Sequence, residues 1–206
     1  MKTKWILSMI LFSSSAFASG DRVGNGGDGV ACSDKTELLD FYESSLPLKS
    51  YKLEQSYKEI TESVLNNLER FNPAQAKQYR KRFSEFFDET EFKSGASLIN
   101  IKDSRHLFKP KDKNCKIMQI AIRRNEASVV MKRFLIDEEL WNKLSERSKA
   151  GLVLHEIIYE HFYKLGEEDS IKARAVNAYL FSEKSYQDGP DVYWKTIKDL
   201  KLPIYR

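Results

Sequence analysis

Gly151-Leu152-Val153-Leu154-His155-Glu156-Ile157-Ile158-Tyr159-Glu160-His161-Phe162-Tyr163-Lys164-Leu165 is apolar almost all the way round a helical wheel. A helix with that pattern has no face to give to water, so it reads as a helix buried at the centre of the core. Ser145 stands where an N-cap is wanted and Gly166 where a left-handed terminator is wanted. The stretch therefore defines one long central helix, and the rest of the chain is read as what covers it.

Downstream, Asp169 or Ser170 starts a further helix with Ile171, Ala175, Ala178 and Tyr179 on one face. Gly189-Pro190 then breaks the chain before a last helix near Val192 to Leu200. Immediately upstream, Asp137 caps a short helix through Leu144. Farther back, Leu53 to Phe71 repeats apolar residues at close to a 3.6 period, and Asn72-Pro73 opens a second amphipathic helix carrying Tyr79, Phe83, Phe86 and Phe87. Its basic run, Lys77, Arg80, Lys81 and Arg82, reads as a solvated face balanced by Glu85, Asp88 and Glu89. Glu37 to Glu43 reads as a short helix ending near Pro47. Between the two helical halves, Ser97 to Ile101, Lys116 to Ile122 and Val129 to Leu135 are rich in β-branched residues and read as strands, the last two as a hairpin. The expectation is one α+β domain over residues 37–206, mostly helical, with a small antiparallel sheet and a central buried helix.

The N-terminus carries Lys2 and Lys4, the apolar run Trp5 to Phe12, and Ala16-Phe17-Ala18. That is the pattern of a signal peptide over residues 1–18, too short in its apolar part to span a bilayer. The mature chain is expected to start at Ser19, outside the cytoplasm in periplasm or medium, with no membrane span after cleavage. Removing both lysines lowers the formal charge of +4 to about +2, which is no nucleic-acid footprint. With twelve Phe, ten Tyr and three Trp the chain has ample material for a core, so wholesale disorder is excluded. Residues 19–36 hold five of the nine glycines and read as a loop. Gly24, Gly26 and Gly29 match G-x-G-x-x-G in spacing, but no buried strand precedes them, so a dinucleotide site does not follow. Cys32 and Cys115 are the only cysteines, and in an oxidising compartment they would pair. Two separately buried thiols are the alternative.

His155 and Glu156 carry the chemistry of the central helix. A buried His-Glu pair costs several kcal/mol unless each group finds a partner. One reading is a degenerate zinc-hydrolase helix, with His155 and Glu156 joined by distant metal ligands such as His106 or Asp169, and Tyr159 polarising a carbonyl. The spacing does not demand it. Four residues after His155 stands Tyr159, and His161 lies about 120° away around the helix. The other reading is a structural network, in which Glu156 pairs with a cation from the next helix, such as Arg174, and His155 bonds a backbone carbonyl.

The segments GNGGD before Cys32, ELLDFYE, Leu107-Phe108-Lys109-Pro110 ahead of Cys115, LHEIIY from Leu154, and then Ser170, Arg174 and Asn177 resemble a family of exported bacterial proteins with no assigned activity. The resemblance covers nearly the whole mature chain. It implies a signal peptide, a paired Cys, and a shared site at His155, Glu156, Tyr159, Arg174 and Asn177. That family's pattern has an Arg-Glu pair after the Tyr, where this chain has Glu160-His161, so His161 is not carried over. The expected function is an exported, non-catalytic binding or envelope-associated module with a buried network that includes Glu156, Arg174 and Asn177. The alternatives are a metal-dependent hydrolase of peptide or cell-wall material, with zinc as its ion, and an inhibitor or partner of another secreted enzyme.

Overall fold

The computed structural model describes residues 23–24, 27–33, 35–96, 98, 110, 112–124 and 131–202. The central helix is α5 (Glu146–Lys164), with thirteen of its residues buried. It begins where the Ser145 hydroxyl accepts the Ser148 N–H (3.1 Å), and it closes at Gly166, whose φ of 95° is left-handed. Around it pack α2 (Tyr57–Glu69), α3 (Pro73–Phe86) and α6 (Ile171–Leu180). The short helices α1 (Leu39–Glu43), α4 (Glu138–Asn142), α7 (Glu183–Gln187) and α8 (Pro190–Asp199) complete the helical part among the described residues.

Local chemistry sets most helix ends. Ser56 and Glu59 form a reciprocal capping box, so α2 starts at Tyr57 and leaves Leu53, 98% exposed, outside it. Asn72 Oδ1 accepts the Gln75 N–H (3.1 Å) ahead of Pro73 in the first turn of α3. Asp137 accepts the Leu140 N–H (3.0 Å) at the start of α4. Helix α7, capped by Ser182, was not foreseen from the sequence.

The strands form two small sheets. One has the order β1-β6-β7-β4, from Val23–Gly24, Ala121–Arg124, Phe134–Asp137 and Thr90–Lys93. The other has the order β3-β2-β5, from Thr36–Leu38, Asp28–Ala31 and Lys116–Gln119. All pairings are antiparallel except β4 with β7, which is parallel. The hairpin expected between residues 116–122 and 129–135 forms between β6 and β7, with both strands displaced toward the C-terminus and the second starting only at Phe134. Lys116 to Ile122 is not continuous but switches sheets at buried Ile120. There the Ile120 and Ala121 N–H groups both donate to Gly27 O (3.0 and 3.1 Å), and Ile120 O accepts the Asp137 N–H (2.9 Å). The strand read at residues 97–101 lies outside the described residues, apart from Leu98.

Two expectations about the N-terminal part are corrected. Glu37 and Leu38 belong to β3 rather than to a helix, and α1 starts at Leu39. The glycine-rich segment is also not simply a loop, since Asp28–Ala31 is the middle strand of its sheet. Its glycines serve close approach: a Cβ at Gly27 would overlap Leu152 Cδ1, and one at Gly29 would overlap Ile120 Cδ1. Gly151 does the same inside α5, where the Phe41 ring occupies the space a Cβ would need. The Cys32–Cys115 disulfide joins the end of β2 to the start of β5. No helix among the described residues is long and apolar enough to cross a membrane.

Candidate functional site

His155 and Glu156 are consecutive on α5 and both fully buried, and they reach different parts of the chain. His155 Nδ1 lies 2.9 and 3.1 Å from the two carboxylate oxygens of Asp40 on α1. Asp40 also accepts from Asn177 Nδ2 on α6 (2.7 Å), and the same nitrogen donates to Gly151 O (2.9 Å). Burial opposes charge on the imidazole, but the Asp40 carboxylate outweighs it and holds His155 up to about 9. The ring is therefore an imidazolium at neutral pH, and Nδ1 donates to Asp40.

Glu156 Oε1 accepts the Gly27 N–H (2.6 Å). Burial pushes its carboxyl above the ordinary range, against the opposing pull of His155, the Gly27 amide and Arg123. Arg123, on β6, is itself buried, with its guanidinium 4.1 Å from the Tyr163 ring centroid and 5.5 Å from that of Tyr159. Among the described residues no hydrogen-bond partner meets His155 Nε2, Glu156 Oε2, or Nε and one terminal nitrogen of Arg123. Tyr159, also buried, donates to Glu168 O (3.3 Å).

Both pairings expected from the sequence change. His155 bonds a carboxylate rather than a backbone carbonyl. Arg174 is drawn to Glu43 (3.0 Å) and to the Ser170 hydroxyl (2.8 Å), while Glu156 takes the Gly27 amide. Asn177 reaches the His155 side of the cluster through Asp40. Asp169 lies just ahead of α6, its Oδ1 accepting the Ile171 N–H (3.0 Å), and His106 lies outside the described residues. Among the described residues no three His, Cys, Asp or Glu side chains are grouped to hold a metal ion. His161 stands apart in a second environment, with Nδ1 2.9 Å from the Tyr79 hydroxyl. Burial lowers its pKa, so this ring is neutral at pH 7.

Arg82, expected on a solvated face, is a correction of the same kind. It donates to buried Glu160 on α5 (3.0 Å), which also accepts from Arg133 (2.7 Å) and Lys164 (2.9 Å). Three members of the central cluster escaped the sequence reading: Asp40, Arg123 and Gly27. Asp40 did carry a signal, an acid set directly between Leu39 and Phe41 in a segment with apolar residues on either side.

Of the segments quoted above, Gly27 meets Glu156, Asp40 meets His155 and Asn177, and Glu43 meets Arg174, while Leu107-Phe108-Lys109 lies outside the described residues. Fold and cluster together define an α+β protein built around a buried His-Asp-Asn network, with a buried Glu beside it on the same helix. Comparison with known protein families, curated proteins and solved structures finds no match for this chain.

Proposed function

We propose that this chain is an exported protein that binds rather than catalyses, working outside the cytoplasm as a free or envelope-associated module. The observation that carries the reading is how His155 and Glu156 are used. Each side chain is fully buried, and each ties α5 to a segment more than a hundred residues away, Asp40 on α1 and Gly27 before β2. The two groups that would do chemistry in a hydrolase are committed to holding the N-terminal part of the chain on the core. The Cys32–Cys115 disulfide clamps that same part to β5 and supports an oxidising compartment.

A metal-dependent hydrolase with zinc is favoured by one observation, that His155 Nε2 and Glu156 Oε2 are buried without hydrogen-bond partners among the described residues. A histidine whose other nitrogen meets a carboxylate is also the usual support for a metal ligand. Elemental analysis separates the two. Protein purified without chelator is expected to hold no stoichiometric metal, and its melting temperature should be indifferent to zinc or chelator. Near-stoichiometric zinc that disappears in a folded His155→Ala variant would replace the first reading with the second.

A further inference from the structure

A cavity of about 260 Å³ lies between α3, α5 and α8, away from the His155 cluster. Among the described residues, none of the twelve that line it carries a fixed charge, although 31% of the chain is charged. Its imidazole, His161, is neutral at pH 7 because burial lowers its pKa, and burial raises the Tyr79 and Tyr193 hydroxyls, which stay protonated. A phosphate, a nucleotide or an acidic peptide would find no counter-charge there.

Of those twelve, four carry Phe, Tyr or Trp rings, four are aliphatic and four, Asn72, Gln75, Gln78 and His161, offer uncharged hydrogen-bonding groups, the composition of a small-molecule site. Trp194 is 38% exposed and meets Tyr193 edge to face (5.1 Å between centroids). Tyr193 is fixed in turn by stacking on Phe71 (5.3 Å, planes 11° apart), so the aromatic wall is rigid. Opposite chemistry comes from α3, where Gln75 Nε2 donates to Gln78 Oε1 (3.1 Å). That bond leaves the Gln75 carbonyl as an acceptor and the Gln78 amide as a donor, side by side. His161 Nδ1 is taken by Tyr79, which leaves Nε2 as the ring's remaining polar atom.

We propose that this pocket, walled by Trp194 and Tyr193 and edged by Gln75, Gln78 and His161, binds an uncharged pyranose unit of a glycan. A pyranose has an apolar C–H face to lie on the indole and neighbouring hydroxyls that both donate and accept, as the paired amides require. The cavity falls below the roughly 300–1,000 Å³ of drug-sized sites, which suits a single ring rather than an extended chain. The assignment rests on the binding-module reading and names its ligand class.

The test uses the mature, disulfide-intact protein and follows tryptophan emission and amide chemical shifts. The probes are the trimer of N-acetylglucosamine, cellotriose, and an end-blocked neutral tripeptide. A saccharide should shift the Trp194 emission, and Trp194→Ala should weaken binding by ~10-fold or more through loss of the stacked ring. Gln78→Ala, at an exposed position that leaves the core intact, should weaken it by about fivefold. Trp141→Phe should keep the response. The assignment is overturned if neither sugar moves any signal, if the response survives in Trp194→Ala, or if the tripeptide binds more tightly than both sugars. Should the sugars fail while zinc and chelator leave the melting temperature unchanged, only the pocket assignment falls. Stoichiometric zinc would instead remove the module reading, whatever the sugars do.

Discussion

Glu156 and Glu160 stand about one turn apart on α5, and both are shielded from water, yet they are held in opposite ways. Glu160 is bonded by three cations, Arg82, Arg133 and Lys164. Burial would raise its pKa, but the Lys164 hydrogen bond and the charges of Arg82 and Arg133 win, and the carboxyl lies below its ordinary range. Glu156 has, among the described residues, a single backbone amide on one oxygen and no hydrogen bond on the other, and burial wins. Depth alone therefore does not decide which way a carboxyl on this helix is shifted. The direct bonding of cations decides it, and only Glu160 has that.

The comparison breaks most visibly at the pair that His155 of the same helix forms with Asp40, in which both partners are buried. Asp40→Ala leaves the His155 imidazolium unpaired in the core and removes an acceptor from Asn177. It should destabilise the fold by about 3–5 kcal/mol, the usual loss when one partner of a buried pair is removed. Chemical denaturation measures it, and a loss under about 1 kcal/mol would show that His155 is carried neutral.

A second, smaller effect separates the two glutamates directly. Glu160→Gln removes the charge that three cations share and should cost about 1.5–3 kcal/mol, less than the first variant because Arg82 keeps Glu85 and Glu89. Glu156→Gln keeps the shape and the acceptor for Gly27 while removing only a charge that burial already disfavours. It should stay within about 1 kcal/mol of the parent. Equal losses in the two variants would end the contrast.

The pH dependence sharpens it further. His155 is raised, so its stabilising contribution is complete below its ordinary value of 6.5 and is lost as pH climbs toward about 9. Glu156, also raised, likewise contributes at low pH and loses that contribution as pH rises. Glu160 is lowered, so its contribution is present above the ordinary carboxylate range and is lost as pH falls. Melting temperature should decline on the alkaline side in the parent and flatten there in Asp40→Asn. Glu160→Gln should flatten the acid side alone.

The helices were legible because their determinants are local. The Ser145 cap, the Asn72-Pro73 start and the Gly166 stop are each set by residues within a turn of where they act. The central helix announced its burial by having no polar face. Strand β2 hid because glycines that permit close packing look, in sequence, like glycines that permit turns. Strand β4 hid because Thr90–Lys93 is four residues long and acquires its meaning only from parallel pairing with β7, more than forty positions on. The site divided along the same line. His155 and Glu156 stood out as polar groups in an apolar run. Asp40 has a local signal, its place between Leu39 and Phe41, but its partner His155 lies 115 positions away and nothing local points to it.

The contacts that fasten the N-terminal part to α5 and α6 join residues 115 to 137 positions apart. Chains rich in helix usually fold fast because most of their contacts are local, but this one defers its decisive contacts to its far end. Helices α2 and α3 can pair early, while the segment around Gly27 and Asp40 has nothing to dock on until α5 and α6 exist. Whatever the speed of its helices, closure of those long loops is expected to limit the rate of folding. A chain truncated before Asn177 would lack the bond through which α6 holds Asp40 in place.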